Sequence, residues 1–214
     1  MITRLTVPLT ILCVLVSAQI GTGAPPFKGG VAPIPAKMRA RMTPDVWRPG
    51  CPVPLRQLRA VVVTHRDFRG RARRGVLVVH RTVARDVLRV FRALYAARFP
   101  IRRIRPIEAY GGDDYRSIEA DNTSVFNCRA VSGGSGWSRH AYGTAIDINP
   151  IENPYVSNGR TSHRRSVPFL RRTPVRRGMA VEGGVLVRSF DTIGWSWGGR
   201  WTSPTDYQHF STGG

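Results

Sequence analysis

The chain has 214 residues, enough for one compact domain and a processed N-terminus. Its hydrophobic fraction of 42% and charged fraction of 21% are ordinary for a globular protein. The formal net charge of +20 is not ordinary, and arginine supplies nearly all of it because Lys28 and Lys37 are the only lysines. Codon usage that favours arginine is one explanation for this composition. Whatever its origin, such a surface attracts nucleic acid, acidic lipid or an anionic cell wall.

The first 18 residues predict a secretory signal peptide. Arg4 precedes an apolar run from Leu5 to Val16, and small residues ending at Ala18 fit a cleavage site. The run is short and contains Pro8, so we expect no stable membrane span, with an uncleaved anchor as the alternative. Because an exported protein is a poor partner for nucleic acid, we expect the basic surface to face the cell wall or the membrane surface instead.

Two cysteines, Cys51 and Cys128, remain after the signal peptide. In an exported protein they predict one disulfide, which would stabilise the fold by roughly 4 kcal/mol in the chain-entropy model. Two buried free thiols are the alternative.

Residues 19–38 are rich in Gly, Pro and Ala and show no helical or strand periodicity. They predict a flexible linker, which leaves residues 39–214 as the folded domain.

The first half of that domain predicts two strands, a helix and a weaker strand. Ala60–His65 and Gly75–His80 are strand-like and joined by a polar connection suited to a hairpin. Residues 82–98 place apolar side chains at spacings of three and four, with Thr82 as the expected cap and Pro100 as the stop. Residues 101–107 alternate imperfectly and predict only a weak strand.

The second half predicts a short strand, a loop and a short helix. Ala145–Asn149 alternates so that Asp147 faces away from two isoleucines that enter the core. Arg160–Arg177 contains seven arginines and predicts a long exposed loop. A short helix around Leu186 is expected to end at Gly194.

Three residues are candidate zinc ligands: His140, Asp147 and His209. A catalytic zinc usually has three His, Asp or Glu ligands and keeps one position for water. Gly143 lies between the first two and lets the backbone turn tightly. Asp206, three residues before His209, is a candidate general base.

These residues resemble the zinc D-Ala-D-Ala carboxypeptidase family, which includes peptidoglycan carboxypeptidases, vancomycin-resistance dipeptidases and phage L-alanyl-D-glutamate endolysins. Its pattern Ser-x-His-x-x-Gly-x-Ala-x-Asp is matched at 138–147, and its Asp/Glu-x-x-His motif at 206–209. The stretches 121–129 and 140–155 are also similar to secreted actinobacterial members. The similarity spans about residues 47–210.

The resemblance implies an α+β fold of the hedgehog/DD-peptidase type, with a small antiparallel sheet that carries the ligands and helices on one side. It implies Zn²⁺ on His140, Asp147 and His209, and Asp206 as general base and acid. It also implies an active-site arginine.

Arg129 in the Phe-Asn-Cys-Arg stretch is our candidate for that arginine. Arg116, in a Tyr-Arg-Ser context, is the competitor and a candidate for substrate binding. Because Cys128 is adjacent to Arg129, a disulfide to Cys51 would tether this segment. Ser138 either donates a hydrogen bond within the site or shapes its loop.

The expected protein is a secreted, wall-associated, monomeric zinc metallopeptidase that acts on peptidoglycan stem peptides, as a D-alanyl-D-alanine carboxypeptidase. A peptidoglycan endopeptidase of the same family is one alternative. A non-catalytic wall-binding module on the same fold is another, and a polyanion-binding protein with an accidental motif is the third. The 160–177 loop is expected to shape the cleft or to bind anionic wall polymers.

Overall fold

The computed structural model describes residues 25–131 and 134–213, so the predicted signal peptide and residues 19–24 lie outside it. The strands are β1 Gly30–Pro33, β2 Leu58–Arg66, β3 Ala72–His80, β4 Ala145–Asp147, β5 Tyr155–Val156, β6 Ser196–Trp197, β7 Thr205–Asp206 and β8 His209–Ser211. The α-helices are α1 Ala36–Met42, α2 Ala84–Ala96, α3 Asp114–Glu119 and α4 Val185–Asp191. Short 3-10 helices cover Leu55–Gln57, Ile107–Tyr110, Arg139–Tyr142, Arg164–Phe169 and Gly198–Arg200.

The first sheet has the order β1-β2-β3 and is antiparallel throughout. The predicted hairpin is confirmed, with Leu58 opposite His80 and Arg66 opposite Ala72. Its apolar face packs on α2, where Val87, Phe91 and other apolar side chains at helical spacing are buried. Alternation in the strands and three-four spacing in the helix thus build one shared core.

The linker prediction is wrong for residues 30–38. Gly30–Pro33 pairs with β2 as an edge strand, and α1 begins at Ala36. Gly29 lies so close to the sheet that a Cβ there would be 2.8 Å from the Val62 carbonyl oxygen. The glycine and proline residues that suggested a flexible linker therefore have structural roles: Gly29 allows close packing against the sheet, and Pro33 lies in an edge strand, where proline is tolerated.

Two local predictions in the first half are also wrong. Thr82 does not cap α2: the cap position is Val83, and the Thr82 hydroxyl lies 2.6 Å from Nδ1 of His80. Residues 101–107 form no strand beyond a single bridge from Ile104 to Thr123. The Asn122 side chain accepts from the backbone N–H of Arg105 and donates to its carbonyl oxygen. These two hydrogen bonds take the place of those that a neighbouring strand would make with Arg105.

The second sheet has the order β4-β8-β6 and carries two of the candidate ligands. Ile146 and Phe210 are opposite each other and fully buried, and Phe210 stacks on Phe190 of α4 at 4.3 Å between ring centroids. The predicted helix before Gly194 is therefore α4, and it helps to fix this sheet on the main core. Strands β5 and β7 pair with each other in a separate two-stranded sheet; in the sequence, β5 follows β4 and β7 precedes β8.

The 160–177 segment is not simply an exposed loop. It contains the 3-10 helix Arg164–Phe169 and buries Ser166. The guanidinium of Arg172 donates to the carbonyl oxygens of Glu152 and Ala180 at 2.8 and 2.7 Å. One of the seven arginines thus holds the segment to the domain rather than pointing into solvent.

The architecture is α+β, with small antiparallel sheets rather than the single sheet that we expected. The disulfide between Cys51 and Cys128 is present and links the region before β2 to the segment that precedes the candidate site. In residues 25–131 and 134–213, none of the helices has the length and apolar character needed to cross a membrane.

Candidate metal centre

His140 is positioned by a one-turn 3-10 helix, Arg139–Tyr142. The Ser138 hydroxyl accepts a hydrogen bond from the His140 N–H at 3.3 Å and so caps this turn. Gly143 ends it with a φ of +67°, and a Cβ at this position would lie 2.7 Å from the His80 backbone nitrogen. Glycine is therefore required both by the backbone conformation and by the close approach to β3.

Asp147 and His209 are brought together by strand register. They are direct partners in the antiparallel pair β4-β8. Directly opposed residues present their side chains on the same face of a sheet, here the face away from Ile146 and Phe210. The alternation that buries two apolar side chains therefore also aligns the carboxylate with the imidazole.

The ligand atoms of His140, Asp147 and His209 all lie within 4.8 Å of one another. His140 Nε2 is 3.2 Å from Asp147 Oδ2, and His209 Nδ1 is 3.1 Å from Asp147 Oδ1. His140 Nδ1 lies 2.6 Å from the Val125 carbonyl, to which it donates its proton. Its Nε2 lone pair is thereby directed toward the cluster, the arrangement usual for a metal-binding histidine.

The three residues fit a divalent metal by their donor chemistry. Two imidazole nitrogens and a carboxylate oxygen converge in a buried position, where an ionised carboxylate needs a positive charge beside it. Two histidines and one carboxylate are a usual protein ligand set for catalytic zinc. The residues present are therefore suited to zinc.

The cluster also perturbs its own proton equilibria. Burial alone would raise the pKa of Asp147, but His140 and His209 hold that pKa well below its usual range. Burial alone would lower the pKa of His140, but the Asp147 carboxylate raises it overall. An ionised carboxylate is thus maintained between two bases, as a cation site requires.

Asp206 lies beside this cluster at the end of β7 and is almost fully buried. Burial, with the negative charge of Asp147, raises the pKa of Asp206 to about 7. Its Oδ1 has no hydrogen-bond partner among the described residues. A buried carboxyl oxygen without a partner, on a group that titrates near neutral pH, is suited to accept and return a proton.

A cavity of about 570 Å³ opens over the cluster. His140, Asp147, Asp206 and His209 all line it, and so does Ser138. The Trp201 ring lies 5.4 Å from the His209 ring, centroid to centroid, and forms part of the wall. Trp195 and Trp197, by contrast, are buried in the core, so the tryptophan-rich segment divides between packing and the cavity.

The two candidate arginines lie in different environments. Arg129 lines the cavity, forms an ion pair with Asp114 and is close enough to lower the pKa of Asp206. The Arg116 side chain is 76% exposed, does not line the cavity, and pairs with Asp113 of its own helix cap at 3.5 Å. The structure therefore does not bring Arg116 to the site, because α3 turns that side chain to solvent.

One cavity residue, His163, was missed by sequence reasoning. His163 lines the cavity, its Nδ1 is 2.7 Å from a carboxylate oxygen of Glu119, and its ring lies 4.5 Å from that of Tyr115. The contact joins residues 44 apart, and no motif around His163 signals it. His65 and His80 lie elsewhere and hydrogen-bond Ile101 and Gln57.

Two imidazoles and a carboxylate under a cavity, with a further carboxyl group alongside, are typical of hydrolytic metal centres. Residues 132–212 match the family model described as D-alanyl-D-alanine carboxypeptidase. The match covers less than half of the chain, but it includes all three candidate ligands and Asp206. The match supports, over this segment, the resemblance to that peptidase family drawn from the two motifs.

Arg129, Arg116 and the disulfide precede the matched segment. No curated protein and no solved structure matches the chain significantly.

Proposed function

We propose that the protein is a secreted zinc metallopeptidase of the cell wall that hydrolyses peptide bonds in peptidoglycan stem peptides, as a D-alanyl-D-alanine carboxypeptidase. The observation that carries the proposal is the convergence of His140, Asp147 and His209 within 4.8 Å, below a cavity that also exposes Asp206. The family match over residues 132–212 supports the peptidase class.

Zinc, when bound, supplies a Lewis acid that polarises a carbonyl and lowers the pKa of water. His140 and His209 would hold it through Nε2 and Nδ1, and Asp147 through its carboxylate. The Val125 carbonyl and the Ser138 cap fix the His140 ring and so preorganise this ligand.

Asp206 takes a proton from the attacking water at its unpartnered Oδ1 and returns it to the leaving amine. A carboxyl group with a pKa of about 7 is both basic enough to accept this proton and acidic enough to give it back. Burial keeps bulk water from competing at that oxygen.

Arg129 is positioned to steady negative charge on the substrate. Its ion pair with Asp114 holds the side chain against the cavity wall, and its guanidinium lies near enough to act on the pKa values of both His140 and Asp206. A fixed cation near the reacting carbonyl stabilises the oxyanion that develops there.

Secretion and the hedgehog/DD-peptidase fold belong to the same proposal. The Cys51–Cys128 disulfide supports an oxidising compartment, and the α+β arrangement with ligands on β4 and β8 supports that fold.

The deciding experiment is digestion of purified muropeptides by the zinc-loaded protein, with and without a chelator, followed by mass spectrometry. We expect loss of a single C-terminal alanine that the chelator abolishes. A cut within the stem or bridge would replace carboxypeptidase with endopeptidase. No cleavage by protein that binds stoichiometric zinc would favour a non-catalytic wall-binding module.

A further inference from the structure

A second concave surface lies apart from the cavity and differs sharply from it in composition. It is a groove of about 580 Å³ between the turn of the β2-β3 hairpin and residues 102–105, and it shares no lining residue with the cavity. We call it the arginine groove. Seven of its eleven lining residues are arginine, whereas the cavity has two among twenty.

Codon usage does not explain this concentration. The whole chain has 33 Lys and Arg among 214 residues, so eleven positions drawn evenly would hold fewer than two. The hairpin contributes Arg69, Arg71, Arg73 and Arg74, and the following segment contributes Arg102, Arg103 and Arg105. Like charges gathered in a concave surface repel one another and focus a positive field outward.

Carboxylates hold some of these arginines in place but are too few to neutralise the positive charge of the groove. The Asp67 carboxylate accepts from Nε of Arg71 at 2.9 Å and from Nε of Arg73 at 3.1 Å. It also accepts from the backbone N–H of Arg69 and Arg71, which fixes the turn. Asp67 is the only acidic residue that lines the groove among the described residues.

Arg102 is fixed from the interior of the domain. Its guanidinium bonds buried Asp121 and Glu152 at 3.0 and 2.9 Å and lies 3.8 Å over the Phe68 ring. The side chains of Arg69, Arg74, Arg103 and Arg105 have no acidic partner in residues 25–131 and 134–213. The groove therefore combines preformed guanidinium groups with four that are available to a ligand.

We propose that the arginine groove binds a linear phosphodiester polymer that lacks bases, such as a glycerol phosphate chain. Guanidinium groups match phosphate oxygens in bidentate geometry. Four available cations along a groove exceed what one phosphate ion can neutralise, so a polymer with repeated charges is the fitting ligand.

Single-stranded nucleic acid is the less suitable polymer. Proteins that bind it present aromatic faces on which bases stack. Phe68 is the one aromatic residue that lines the groove in the described structure, apart from the buried His65, and Arg102 already covers the Phe68 face. The groove offers charge without a stacking surface.

The test is a titration of fluorescently labelled poly(glycerol phosphate) by fluorescence anisotropy, at several salt concentrations, with the full chain. Arg74→Ala combined with Arg103→Ala removes two groove charges. Arg56→Ala combined with Arg85→Ala removes two exposed charges outside the groove and is the matched control, because the change in net charge is equal. Circular dichroism establishes that both variants fold.

We expect the groove variant to bind the polymer at least about tenfold more weakly than the wild type. The magnitude of the slope of log affinity against log salt should fall by about 1.4, since each of the two lost phosphate contacts contributes about 0.7 for a single-stranded polyanion. The control should change affinity less than about threefold. Equal losses in both variants would overturn the proposal, because binding would then reflect net charge alone. Tighter binding of oligothymidylate than of poly(glycerol phosphate), at equal phosphate, would overturn the assignment to a polymer without bases.

The result does not depend on the peptidase. Neither Arg74 nor Arg103 lines the cavity, so turnover of short soluble muropeptides should be the same in the groove variant and the wild type.

Discussion

The cavity and the arginine groove are both charged, but their charges are organised in opposite ways. In the cavity a few titratable groups of mixed sign are buried and converge on one point. In the groove many cations of one sign are exposed and spread along a surface. Burial shifts the pKa of each group in the cavity and strengthens its electrostatic contacts, which suits catalysis. The exposed arginines of the groove stay charged, and their separate attractions to an anionic polymer add up, which suits recognition of a polymer.

Loss of one of the three proposed ligands should abolish the chemistry of the cavity. We expect His209→Ala to reduce turnover to the level of the buffer blank and to lose bound zinc, since two remaining ligands cannot hold the ion tightly. Elemental analysis of dialysed protein measures the metal, and muropeptide digestion measures turnover. Full zinc content in this variant would show that His209 is not a ligand.

Substitution of Asp206, the proposed proton carrier, should separate catalysis from metal binding. We expect Asp206→Asn to lower kcat by about 10²- to 10⁴-fold while zinc content stays at the wild-type level. The amide keeps the size of the side chain but cannot take up a proton. A variant that retains full turnover would exclude Asp206 as the base.

The two candidate arginines form a matched pair with equal charge and unequal placement. Arg129→Ala should lower kcat/KM by about 10²- to 10³-fold, as expected for loss of an oxyanion-stabilising group. Arg116→Ala should leave kcat/KM unchanged, because its side chain is solvated and away from the cavity. If Arg116→Ala had the larger effect, the active-site arginine would have to be reassigned.

Glu152, the buried carboxyl group that bonds Arg102 of the groove, should make stability depend weakly on pH. Burial, assisted by the charge of Asp121, raises the pKa of Glu152 to about 8, above its unfolded value near 4.5. Its contribution to stability is therefore complete at low pH and is lost as pH rises toward and through 8. Between pH 7 and pH 9 the free energy of unfolding should fall by about 1.4 kcal/mol from this group.

Glu152→Gln supplies the control for that fall. The amide keeps a hydrogen-bonding group near Arg102 but does not titrate, so denaturant unfolding at pH 7 and pH 9 should show a smaller decrease than in the wild type. An equal decrease in both proteins would place the pH dependence in another group.

Sequence reasoning succeeded where one local pattern determines one local structure. The β2-β3 hairpin and α2 follow from hydrophobic periodicity over nine or more residues. It failed where a distant side chain competes for the backbone, as Asn122 does for residues near Arg105, and where Gly and Pro serve packing rather than flexibility, as in β1.

The candidate site shows the same division. Ser138, His140, Gly143 and Asp147 lie in one short motif, so their proximity was predictable. His163 was not predictable, because its place in the cavity depends on contacts with Glu119 and Tyr115 of α3.

The residue types available for a metal, the regular segments of the first half and the two motifs that resemble the peptidase family could all be read from the amino-acid sequence. Folding, in contrast, places Arg129 rather than Arg116 beside the cavity, and it gathers seven arginines from two segments into one groove. The physical reason is the sequence distance over which each effect acts. Periodicity and backbone propensity act between residues that are close in sequence, whereas a binding surface consists of groups that only folding brings within a few ångströms of one another.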